Sequence, residues 1–159
     1  MGASTDSTID SGLAQHTAER AARVLYEQDR ASQSLGMRIT RIAPGEAELT
    51  MQVRPDMTNG HHICHGGLVF ALADSAFAFA CNSYGESTVA AAASIDFLAA
   101  VREGDALTAT ARELWRGGRS GLYEIVVTNQ RGEPVALFRG RSQRVAGRLV
   151  PGDAAGDSV

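Results

Sequence analysis

The segment from Asn59 to Ser83, NGHHICHGGLVFALADSAFAFACNS, sets a polar knot of His and Gly against an almost wholly apolar stretch of helical length. One acid, Asp74, interrupts that stretch. An ionised carboxylate loses hydration in such a setting unless something pairs with it, which makes the position a candidate for chemistry. A structural carboxylate that caps a neighbouring helix or pairs with an Arg would fit the same pattern. Gly66 and Gly67, just before the apolar run, offer bare backbone N–H groups at a helix N-terminus, where negative charge is stabilised. Together, donor and acid could serve a reacting carbonyl: one takes the developing oxyanion, the other attacks or activates water.

Spacing limits how they could cooperate. Gly66 and Asp74 are eight residues apart, roughly 12 Å along a helix axis at 1.5 Å rise per residue. A reacting carbonyl must lie within about 3 Å of both its oxyanion donor and its attacking group. One helix does not meet both demands. If the two residues act together, they come from different subunits with antiparallel helices side by side, and the site lies at a dimer interface.

Other chemistry-bearing residues carry weaker patterns. His61, His62, Cys64 and His65 crowd one loop, but no second ligand pair stands at zinc-finger spacing, so no metal site is expected. Cys64 reads as a small buried residue rather than a nucleophile. Asp96, in SIDFL, reads as a hydrogen-bonded strand residue. Arg139, Arg141 and Arg144 lie near the last strand, and Arg112, Arg116 and Arg119 near a hairpin. In VALFRGRSQR, period-two alternation puts Arg139 and Arg141 on one face, opposite Phe138. A phosphate site and a solvated outer face fit those arginines equally well.

The elements that must position these residues follow from periodicity. Residues 1–14 are small and polar and read as a disordered leader. Helical spacing from about Thr17 to Leu35 leaves a loose apolar stripe of Ala21, Val24, Leu25 and Ala31, with Gly36 placed to stop it. Two short strands are expected over MRITRIA and EAELTMQV, joined at Pro44-Gly45. The long helix runs from about His65 to Ser83 and ends at Gly85. Four strands follow at about 87–99, 105–115, 120–130 and 133–146, separated by turn signals at Gly104, Gly117-Gly118 and Gly132. Residues 148–159 read as a flexible tail, leaving a single domain over 15–147. A helix apolar on nearly every side must be enclosed. A curved antiparallel sheet wrapped around one long central helix, with an extra N-terminal helix, achieves this if a second copy covers the remaining side. The expectation is therefore an α+β protein of the hotdog architecture, which implies at least a dimer.

Composition narrows the function classes. The chain has 159 residues, long enough for a real hydrophobic core. Its net charge of −3 gives no sign of a nucleic-acid-binding surface, so an anionic ligand would need a local Arg cluster. Two cysteines, Cys64 and Cys81, do not make a disulfide framework and fit a reducing compartment. MGASTDSTIDSGLAQ has neither the basic nor the apolar region of a secretory signal, and Asp6 breaks the myristoylation pattern. The run from Leu68 to Cys81 is shorter than the roughly 20 residues that span a bilayer. A cytoplasmic protein without nucleic-acid or membrane partners is expected.

NGHHICHGGLVFALADSAFAFACNS, followed by AASIDFLAAVREGDALTATARE and ALFRGRSQR, closely resembles the PaaI-type hotdog thioesterases, which hydrolyse aryl-acetyl-coenzyme A in phenylacetate catabolism. The similarity runs from about Tyr26 to Gly147. It implies that Asp74 attacks the thioester or activates water, and that the Gly66 N–H polarises the thioester carbonyl. It also implies that His65 orients that carbonyl and that Asn59 positions the water or the carboxylate. Substrate contacts are expected further at Ser75, Arg139 and Arg141. The resemblance further implies a homodimer as the minimum active unit, a homotetramer as a dimer of dimers, and acyl-CoA as the substrate. A thioester carbonyl has weak resonance and a good leaving group, so this equipment suffices without a metal or other cofactor. Two rivals share the fold: a non-catalytic acyl-CoA sensor and a hydroxyacyl-thioester dehydratase. The sensor usually carries a DNA-binding segment, and residues 1–35 hold no helix-turn-helix pair. The dehydratase needs a His base and a helix acid in another pattern.

Overall fold

A computed structural model describes residues 4–150, with side chains placed from Asp10 onward. Helix α1 spans Ser4–Gln28, the short helix α2 spans Arg30–Ser34 and the long helix α3 spans Gly66–Asn82. The strands are β1 Arg38–Ala43, β2 Glu46–Gln52, β3 Glu86–Phe97, β4 Ala106–Gly117, β5 Ser120–Thr128 and β6 Pro134–Arg148. They form one six-stranded sheet in the order β1-β2-β4-β5-β6-β3, and every neighbouring pair is antiparallel.

Helix α3 touches all six strands, so the sheet wraps around it as the apolar sequence requires. Leu72, Ala73, Ala76, Phe77 and Ala80 are buried against Leu49, Leu107, Ala109, Ile125 and Phe138 from the strands. Phe138 stacks edge-on against Phe70 at 5.1 Å and lies 6.0 Å from Phe77. Gly140 lets Phe77 approach the sheet backbone: a β-carbon at position 140 would stand 2.9 Å from three of the ring's carbons. Buried Asn82 helps fasten the far end of α3. The Asn82 amide donates to the carbonyls of Ala78 and Thr88 and accepts the Thr88 N–H, tying the helix end to the start of β3.

Two expectations shift. The leader read over 1–14 falls largely within α1, which begins at Ser4 rather than Thr17. No proline interrupts this stretch, and its apolar periodicity is too sparse to mark a start. The helix also stops early, at Gln28, because Asp29 caps a new one: its carboxylate accepts both the N–H and the hydroxyl of Ser32. Gly36 follows α2 in a left-handed conformation, φ 70°. At the other end, Leu149 donates to the Gly85 carbonyl and Val150 is buried, so the start of the expected tail is docked. Residues 151–159 lie outside the described residues. No helix among the described residues is long and apolar enough to cross a membrane.

β3 is an edge strand. One side of its backbone pairs with β6 and the other pairs with no strand among the described residues. Val89–Ser94 are exposed along it. Such an edge is a ready template for a second chain.

Candidate active site

The loop before α3 is folded by Asn59. Its side-chain oxygen accepts the N–H groups of His61 at 2.9 Å and Ile63 at 3.4 Å, while its backbone N–H donates to the Ile63 carbonyl. His62 takes a left-handed backbone, φ 56°, to close this turn. Cys64 then donates to the Val101 carbonyl and His65 to that of Met57, so the loop is pinned on both sides. These acceptor contacts fix the orientation of the Asn59 amide. Its NH2 group makes no hydrogen bond within the described residues, and the residue lines a groove of about 430 Å³.

His65 is the N-cap of α3. Its Nδ1 accepts the Gly67 N–H at 2.9 Å, so Nε2 carries the proton of the neutral ring. The Gly66 N–H makes no hydrogen bond within the described residues. It stands at the positive end of a 17-residue helix, on the wall of the same groove. Ile63, Cys64, Val69, Phe97, Leu98 and Val101 supply most of the rest of that wall, and apolar side chains dominate it.

Asp74 is half-buried on α3 and has neither a hydrogen bond nor an ion pair among the described residues. Burial pushes its carboxyl above the ordinary carboxylate range. Gly66 and Asp74 belong to one unbroken helix, so the roughly 12 Å between them is real. The chain therefore brings Asn59, His65 and Gly66 together and holds Asp74 apart.

The remaining expected residues lie elsewhere. The Ser75 hydroxyl is 2.9 Å from that of Ser32. Ser32 already donates to Asp29, so Ser75 is the donor, and its proton is directed into the α2–α3 contact. Arg139 and Arg141 do share a face, but on the side of the sheet away from α3. They line a separate groove with Leu114 and Leu122. Arg139 has a loose contact with Glu124 at 3.5 Å. Cys64 and Cys81 are free and buried, and burial raises both thiols, Cys81 to about 12. Among the described residues no His, Cys, Asp and Glu cluster could hold a metal ion. Phe97 was not singled out from the sequence, although its ring covers Gly66. The one signal for it in the sequence was the pair of large apolar residues, Phe97 and Leu98, near the end of an expected strand.

Known proteins share this fold. Over 135 residues the chain is 47% identical to the acyl-coenzyme A thioesterase PaaI of Escherichia coli K12, covering 85% of this chain and 96% of that enzyme. The chain belongs to the PaaI-type acyl-CoA thioesterases. Residues 61–136 match the thioesterase superfamily, a span that runs from the Asn59 loop through β5 into β6. The solved structure of E. coli PaaI, from the phenylacetic acid degradation operon, superposes with a TM-score of 0.83 over 84% of this chain and 97% of that one. A Thermus thermophilus protein, TT0310, is 37% identical, with a TM-score of 0.72 over 74% of this chain and 99% of that one. A Streptococcus mutans protein solved with acetyl-CoA bound is 25% identical, with a TM-score of 0.68 over 70% of this chain and 90% of that one. The protein is a hotdog-fold thioesterase, and acyl-CoA is its substrate class.

Proposed function

We propose that this thioesterase hydrolyses phenylacetyl-CoA, hydroxyphenylacetyl-CoA or a related aryl-acyl-CoA at sites shared between two copies of the chain. One observation carries the reading: a helix-terminal N–H and a half-buried carboxylate, neither with a partner among the described residues, stand roughly 12 Å apart on one helix. Two such helices laid antiparallel bring each donor to the other copy's acid. The unpaired edge of β3 supports a pairing of this kind, and the exposed Leu114, Trp115 and Leu122 support a further association into a dimer of dimers. That the E. coli relative comes from a phenylacetic acid degradation operon supports the choice of acyl group.

In this mechanism the thioester oxygen sits on the Gly66 N–H, where the helix dipole favours its developing charge. Asn59 offers its free NH2 to the water or the carboxylate, and His65 orients the carbonyl. The partner subunit's Asp74 either takes a proton from water as the water oxygen bonds to the carbonyl carbon, or attacks that carbon itself. Burial suits it to either task, because it leaves the carboxylate poorly solvated and more basic. With water as the nucleophile, collapse of the tetrahedral intermediate breaks the C–S bond, the free acid leaves, and Asp74 returns its proton to the departing thiolate. With Asp74 as the nucleophile, the same collapse leaves an acyl anhydride on Asp74; water then cleaves it to the free acid, and the proton released goes to the thiolate. Ser75 holds α3 to α2 beside the acid. Arg139 and Arg141 offer guanidinium groups to CoA phosphates. From the outer face of the sheet they would serve a thioester held by another copy.

The test is thiol release from phenylacetyl-CoA by purified Asp74→Ala protein with an intact fold. Loss of turnover by about a hundredfold or more is expected. Turnover near that of the unaltered protein would overturn the assignment.

A further inference from the structure

We infer that Phe97 sets the acyl specificity of this site by offering an aromatic wall beside the carbonyl-binding amide. The inference rests on the reading that Gly66 N–H holds the thioester oxygen.

Phe97 ends β3, level with Ala136 of β6. Its ring lies directly over Gly66: a β-carbon there would stand 3.0 Å from Cζ, 3.4 Å from Cε1 and 3.6 Å from Cε2. Yet the side chain is 55% exposed, and its neighbour Leu98 is 57% exposed. Large apolar side chains so placed, beside a vacant donor and on a groove wall, mark a surface that a ligand covers.

The lining chemistry says which part of the ligand. Asn59 is the one amide side chain on the groove, and its oxygen is already committed to the loop. The two amides of a pantetheine arm would find little side-chain pairing along Ile63, Val69, Leu98 and Val101. An apolar acyl group loses nothing there. In an arylacetyl thioester one methylene separates the ring from the carbonyl. A carbonyl on Gly66 thus sets the aryl ring within contact of Phe97, in the offset or edge-to-face range that aromatic pairs favour.

The experiment compares kcat/KM for phenylacetyl-CoA and acetyl-CoA in the full-length protein and in Phe97→Ala and Phe97→Leu variants. The unaltered protein should prefer the aryl substrate. Phe97→Ala should lower the aryl-to-acetyl ratio about tenfold, equal to about 1.4 kcal/mol. Phe97→Leu keeps the apolar volume and guards against misfolding of the alanine variant. It should lower the ratio less. An unchanged ratio in both variants, or an equal fall for both substrates, would overturn the role of Phe97 alone. Release of thiol from neither substrate by the unaltered protein would overturn the underlying reading, and this inference with it.

Discussion

The Nδ1 of His65 accepts the Gly67 N–H at 2.9 Å, while the neighbouring Gly66 N–H has no partner among the described residues. An N-cap side chain ordinarily reaches the second or third amide of its helix, and here Gly67 is the second. The first amide, Gly66, is the one the cap does not reach. Cap and oxyanion donor are thus neighbouring products of one short motif. The acceptor role of Nδ1 also places the neutral ring's one N–H on Nε2, the nitrogen that the cap does not use.

This dual placement separates capping from catalysis. His65→Asn keeps an oxygen able to cap but loses the imidazole Nε2–H, while His65→Ala loses both. Alanine should lower unfolding free energy by about 1 kcal/mol and asparagine by only a few tenths. Both should lose at least tenfold in thiol release. Urea unfolding and steady-state hydrolysis check the two outcomes. Full activity in His65→Asn would reduce His65 to a cap.

Asp74 makes a prediction about pH. Burial raises its folded-state carboxyl above the ordinary value of 3.8. The protonated form is therefore favoured by folding. Its contribution to stability is fully present below pH 3.8 and lost as pH rises through the raised value. At neutral pH the ionised acid thus sits in an unfavourable place. Asp74→Asn should raise the unfolding midpoint at neutral pH, with the gain fading in acid. In the native protein, the acid limb of the kcat/KM profile should lie above the ordinary carboxylate range. Denaturation at several pH values together with that profile tests both. A stability loss in Asp74→Asn at neutral pH would instead mean that the acid has a structural partner.

Much of this arrangement was legible in the sequence, for reasons that differ by element. Helix α3 was expected over His65–Ser83 and spans Gly66–Asn82, because an apolar run bounded by glycines leaves little choice. The strand boundaries followed from alternation and from Gly104, Gly118 and Gly132, all of which adopt positive φ. The break at Asp29 was hidden because an acid reads as well inside an amphipathic helix as at its cap. Val150 was hidden as one apolar residue among polar ones. The side-chain alternation of Arg139 and Arg141 was correct, and Phe138 in the core sends them to the outer face. Phe97 over Gly66 is a contact between segments 31 residues apart, and period-two patterning does not encode such a pairing.

Gly85 tests the docking of the chain's end. It adopts φ 76°, and a β-carbon there would stand 2.7 Å from Val150 Cγ2 and 3.1 Å from Thr17 Cγ2. Gly85→Ala should destabilise by about 1–3 kcal/mol through backbone strain alone, with the side-chain overlap adding to it. In Gly85→Ala/Val150→Ala the overlap with Val150 is gone while the strain stays. The double variant should then lose less than the sum of the two single losses. Thermal unfolding of the three variants measures this, and strict additivity would show that Val150 does not press on residue 85.

A shared site makes the sharpest demand. Gly66 is the first residue of α3, a position where proline suits the helix and removes only the N–H. Gly66→Pro should therefore fold but lose about 10²–10³ in turnover, the usual cost of one oxyanion donor. Its ring will also press on Phe97, whose Cζ lies 3.0 Å from where a β-carbon would stand. Folding is thus to be checked by circular dichroism. Asp74→Ala should be inactive through the other half-site. In a mixed dimer, one site inherits both lesions, while the other pairs an intact Gly66 with an intact Asp74. If exchange is complete, half the dimers are mixed and each carries one working site. About a quarter of the original activity per chain should then return. A site built within a single chain would give no recovery at all. Exchange is verified by mass spectrometry with one variant isotopically labelled, so that silence in the mixture speaks against sharing and not against mixing.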